Sequence, residues 1–124
     1  MQEGEKEKEL RPILRGLNCS SLDIEASAVM TRDGLAIASV LGEGVDPDRL
    51  SAMCAAMLGL ANTTASELNR GNLEKVLIEG DLGFVLVVAA GDNAVLTVVA
   101  RPTVNLGMVF LEAKRTADKV RGML

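Results

Sequence analysis

Few side chains in this sequence are equipped for chemistry. Two cysteines, Cys19 and Cys54, are thiols, and three arginines, Arg32, Arg49 and Arg70, stand where turns or helix ends would expose them. A reactive thiolate needs a neighbouring base or cation, and the chain has no histidine. That absence removes His-based triads and most zinc sites. The two cysteines are too few and too separated for a metal cluster, so no metal or cofactor is expected. A phosphate-cradling G-x-x-x-x-G-K-[ST] loop is missing, and GDLG and GEGV read as plain turns. An exposed arginine could stabilise a phosphoryl group held by another protein. Each of the three is nevertheless read first as a solvated surface residue.

The elements that position these groups come from a chain of 124 residues, enough for one core. Hydrophobic residues make up 48% but aromatics only 2%, so the core is packed from Val, Ile, Leu, Met and Ala. A net charge of −4 argues against nucleic acid and against an anionic membrane surface. The N-terminus MQEGEKEKEL is charged throughout and resembles no export signal. Both cysteines are therefore expected to be reduced, in a cytoplasmic protein.

Residues 1–8 read as a flexible charged tail and residues 9–124 as a single domain. Leu10, Ile13, Leu14 and Leu17 recur at helical spacing. Pro12 belongs in a first turn, which predicts a helix from Glu9 or Leu10 to the NCSSLD cluster. Strands are expected over 24–31 and 34–41, with Asp33 and Gly34 as the positive-φ pair of a tight hairpin. Asp46, Pro47 and Asp48 supply an N-cap, a first helical residue and first-turn charge. That helix should run to about Asn69 and stop at Gly71. Strands at 73–79, 83–91 and 94–101 follow, the last two nearly all apolar and turning at Asp92-Asn93. Thr103 then caps a helix over 104–123 with the stripe Leu106, Phe110, Ala113, Ala117, Val120 and Leu124. Gly107 would let that helix approach the sheet. Five antiparallel strands with apolar central members need helices on both faces, giving a three-layer α/β/α sandwich of order α-β-β-α-β-β-β-α.

The central helix is unusual. From Leu50 to Ser66 it carries no charged side chain, in a chain with 24% charged residues. Its Ser, Thr and Asn residues and marginal length exclude a membrane span. On a wheel, Leu50, Met53, Met57, Leu60, Ala61, Thr64 and Leu68 gather on the face assigned to the sheet. Ala52, Ala55, Gly59, Asn62, Thr63 and Ser66 gather opposite, all small and neutral. A solvated face normally carries charge, so this one is expected to meet a second copy of the chain.

The strand after it, LEKVLIE, is the most charged of the five, as suits a sheet edge. Paired with itself across a twofold axis at Leu77, it sets Lys75 against Glu79 and Val76 against Ile78. Each ion pair would contribute about 0.2–1 kcal/mol, relevant to register more than to affinity.

The order of elements, together with IEASAVMTRDGLAIAS, DPDRLSAMCAAMLGLA, KVLIEGDLGFVLVVAAGDNAVLTVVA and VNLGMVFLEAKRTADKV, resembles the roadblock / dynein light chain family. The likeness spans about residues 9 to 122. It implies the profilin-like roadblock fold and a homodimer, or a heterodimer with a related chain, formed through the second helix and third strand. It further implies a non-enzymatic regulator or scaffold of a small Ras-like GTPase that docks near the second helices. A structural dimer that assembles a larger complex without nucleotide dependence is the alternative. The family has no invariant catalytic side chain, so the resemblance carries over a surface and no catalytic residue.

Overall fold

The computed structural model describes residues 2–124, side chains of Gln2 and Glu3 excepted. Its elements are α1 (Gln2–Cys19), β1 (Ile24–Thr31), β2 (Ala36–Val40), α2 (Pro47–Glu67), β3 (Lys75–Gly80), β4 (Gly83–Ala89), β5 (Ala94–Ala100) and α3 (Leu106–Met123). The strands form one antiparallel sheet in the order β2-β1-β5-β4-β3. Pattern reading thus identified every element and the three-layer arrangement.

Alternation along the strands sends side chains to two cores. Val29, Leu86, Leu96 and Val98 face α1 and α3, where Leu10, Leu14, Val109, Ala113 and Val120 close over them. Ala28, Met30, Val87 and Val95 face α2, where Cys54, Leu50, Met57 and Leu58 meet them. The apolar run of β5 is explained by its place at the centre of the sheet, covered on both faces.

Several boundaries differ from expectation, each for a local reason. Met1 lies outside the described residues, but α1 already begins at Gln2 and holds Pro12 in its interior. The alternating Glu and Lys residues form spaced pairs, Lys6 with Glu9 and Glu7 with Arg11, and Lys6 donates to the carbonyl of Met123 on α3. Leu10, Leu14 and Leu17 are buried and hold the helix through the proline. In the first hairpin only Gly34 has positive φ, at 100°. Gly34 N–H donates to Thr31 O and Thr31 N–H to Leu35 O, a three-residue loop with glycine at its left-handed position. Helix α3 is capped by Asn105, which accepts from Met108 N–H, while the Thr103 hydroxyl donates to Asp23. The buried stripe of α3 includes Val109 and Thr116 and leaves Leu124 exposed, so the expected stripe was partly rotated. Gly107 is exposed, and a Cβ placed there would meet only the Asn105 side chain, so the glycine is not needed for a close approach to the sheet.

Candidate interaction surface

Both ends of α2 are fixed by local chemistry. The Asp46 carboxylate accepts from Asp48 N–H, and Pro47 occupies the first turn without a wasted donor. At the other end Asn69, not Gly71, takes the left-handed conformation first, with φ 56°. Asn69 N–H donates to Ser66 O and Arg70 N–H to Ala65 O, closing the helix in a Schellman arrangement.

The rotation of α2 about its axis is set by what lies underneath. Ser51 and Cys54 are buried, Leu50, Ala55, Met57, Leu58, Ala61 and Ala65 are half-buried, and the Cys54 thiol sits 3.7 Å from the Thr97 hydroxyl of β5. Burial pushes that thiol above its ordinary range, with the Thr97 contact pulling weakly the other way. Cys54 is accordingly a buried small hydrophobe, while Cys19 is exposed.

This orientation corrects the wheel. Met53 and Leu60, assigned to the sheet, point outward at 54% and 74% exposure, and Thr64 and Leu68 are exposed too. Ala55, assigned to the open face, lies against the first hairpin's turn instead. The wheel grouped Met53 and Leu60 with Leu50 and Met57 by angle, and only Leu50 and Met57 of these reach the core under α2. The sheet surface of Ala28, Met30, Val87 and Val95 meets Cys54 together with Leu50, Met57 and Leu58, which turns Met53 and Leu60 outward. The remaining expected face residues, Ala52, Gly59, Asn62, Thr63 and Ser66, are exposed. The open face therefore holds Ala52, Met53, Gly59, Leu60 and Thr63, with no charge among them. Sequence reasoning missed Met53 and Leu60 as members of it. An exposed, uncharged helix face bearing large apolar side chains is the signature of an interaction site.

Beside that face runs β3, which pairs with β4 on one side only. Val76 and Ile78 align with Val87 and Val85 on the α2 side of the sheet, Ile78 being 42% exposed. Lys75, Leu77 and Glu79 lie on the opposite side, where Lys75 Nζ stands 5.2 Å from the Phe110 ring centre and Leu77 is 39% exposed. The sequence-selected residues of β3 are thus together on one unpaired edge, adjoining the uncharged helix. Arg32, Arg49 and Arg70 are all exposed, Arg32 in the turn of the first hairpin, Arg49 in the first turn of α2 and Arg70 just past its end. Among the described residues, no helix is long and apolar enough to cross a membrane.

The Roadblock/LC7 domain model matches residues 20–100, which include α2 and all five strands of the sheet. The chain belongs to the Roadblock/LC7 domain family. The Methanocaldococcus jannaschii protein MJ0310 is 43% identical over 100 residues, covering 81% of this chain and 87% of that relative. Myxococcus xanthus MglB superposes with a TM-score of 0.88 at 18% identity, covering 96% of this chain and 90% of its own. A structure described as MglB with tetrameric arrangement gives 0.85 at 20% identity, covering 95% and 89%. These two structural likenesses are likenesses of fold. Membership in the Roadblock/LC7 family supports a regulatory or adaptor domain.

Proposed function

We propose that this roadblock domain is a cytoplasmic, homodimeric regulator or adaptor, without catalysis of its own, that binds a small Ras-like GTPase. The observation that carries the pairing is the uncharged outer face of α2, with Met53 and Leu60 open to solvent beside the unpaired edge of β3. Fully burying a Leu, Ile or Met side chain contributes roughly 1.5–3 kcal/mol, so Met53, Leu60 and Ile78 favour association. Ala52, Gly59 and Thr63 let two α2 helices approach closely. In this reading the twofold axis passes Leu77, with Lys75 against Glu79 of the second copy. The tetrameric arrangement named for one MglB structure is in keeping with self-association.

The GTPase as partner rests on the family resemblance and on the absence of nucleotide machinery in this sequence. Each of the three candidate arginines is exposed and is read as a solvated surface residue, so in this reading the action on a GTPase is indirect: the dimer repositions groups the GTPase already owns. The test is a pull-down with a purified Ras-like GTPase loaded with GTP or GDP, alongside its hydrolysis rate. A GTP-dependent complex supports the proposal. Binding indifferent to nucleotide favours the structural dimer, and no complex with unchanged hydrolysis removes the GTPase.

A further inference from the structure

The two sheet edges are built differently. β3 carries Lys75 and Glu79, the kind of charge that guards an edge against unwanted pairing. β2 has no such guard: the stretch GLAIASVLG, residues 34–42, contains neither a charge nor a proline. β2 bonds to β1 alone. In an antiparallel ladder, alternate residues turn N–H and C=O away from the partner, so an edge strand presents a row of backbone donors and acceptors. Here that row borders a groove of about 510 Å³ lined by residues 36–42, by Glu7 and Arg11 of α1, and by Pro47 and Asp48 at the start of α2.

We propose that the β2 edge is a docking site for an extended segment of a partner protein, added as a further strand. Backbone groups in a row specify an extended chain, which pairs by main-chain hydrogen bonds. A second copy of this protein is a poor occupant on charge: paired edge to edge it would bring Glu7 and Asp48 of one groove towards the same carboxylates of the other, and its own stretch 34–42 carries no cation to offset them.

The groove also constrains the segment's side chains. Its lining along β2 is uncharged, the small Ala36 and Ser39 alternating with the larger Ile37, Val40 and Leu41, so apolar β-branched residues fit against it. Two carboxylates, Glu7 and Asp48, line the groove against one cation, Arg11, which stands 3.7 Å from Glu7. Arg11 Nε is buried without a hydrogen-bond partner among the described residues. The excess of carboxylate selects a segment with a lysine or arginine at one end. This inference does not depend on the GTPase reading.

The test uses the full chain and a displayed library of random peptides of about nine residues, enough for roughly 30 Å of strand. Selection should enrich β-branched peptides with a basic end. Adding an enriched peptide should move backbone amide NMR signals chiefly in residues 36–42. Asp48→Lys should weaken basic-ended peptides roughly two- to fivefold, the size of an exposed ion pair, and leave the circular dichroism unchanged. Ser39→Pro should abolish binding; because it could also disturb the sheet, the signal mapping is made on the unaltered chain. Absence of enrichment, or signals that move only in α2 and β3, would overturn the proposal.

Discussion

A Cβ placed on Gly34 would stand 3.2 Å from the Cβ of Ala55, because the tip of the first hairpin is pressed against α2. This contact fixes which face of the helix looks down, and so which face is open. Gly34 also holds φ at 100°, where other residues are strained. Gly34→Ala should destabilise the protein by about 1–3 kcal/mol, read as a lower urea midpoint at one fixed protein concentration.

The same seating separates two positions four residues apart on one helix. Ala55 meets the hairpin, whereas a Cβ on Gly59 would meet nothing within 4 Å. Ala55→Leu should cost the protomer about 1–3 kcal/mol by overpacking. Gly59→Leu should leave the protomer's fold intact, read as an unchanged circular dichroism spectrum, because its Cβ meets only open space within the protomer. A Gly59→Leu chain that loses its fold while Ala55→Leu keeps its stability would show that the rotation assigned to α2 is wrong.

The ends of α2 should respond as caps do. Asp46→Ala removes the acceptor for Asp48 N–H and is expected to cost about 1 kcal/mol. Asn69 holds φ 56°, so Asn69→Val should cost about 1–2 kcal/mol while Asn69→Gly is neutral or better. Thermal unfolding of the three variants side by side checks the order.

The thiols should behave as two populations. Cys19 is exposed and should react promptly with a thiol-specific dye at pH 8, whereas Cys54 should wait for denaturant. Burial raises the Cys54 thiol above its ordinary 9.0. The unfolded thiol therefore ionises first, and the stabilising contribution, complete below pH 9.0, is lost as pH climbs through the folded-state value. Urea midpoints should fall on the alkaline side, and Cys54→Ala should reduce that fall.

Most of the fold was legible because periodicity and turn residues agree along the chain. Asp46-Pro47-Asp48 marked the start of α2, and the apolar runs of β4 and β5 marked strands covered on both faces. What escaped was decided by tertiary contacts. Pro12 looked like a helix start, yet buried leucines on both sides of it carry α1 through. The uncharged character of α2 singled it out as the proposed interaction helix, but its rotation did not follow from the helical wheel. Leu50, Cys54 and Met57 do meet the core under α2, but that Ala55 meets the hairpin turn while Met53 and Leu60 point outward could be assigned only against the surfaces the helix packs on. Ala55 was misplaced for that reason, and Met53 and Leu60 were missed.

The central claim is that a second copy of the chain covers the face of α2 bearing Gly59 and Leu60. Light scattering at micromolar concentration tests it directly, on the unaltered protein and on Gly59→Arg. The account predicts a mass of twice 13.1 kDa for the first and 13.1 kDa for the second, with unchanged circular dichroism. An unaltered protein that scatters as a monomer, or a Gly59→Arg variant that still scatters as a dimer, would contradict it.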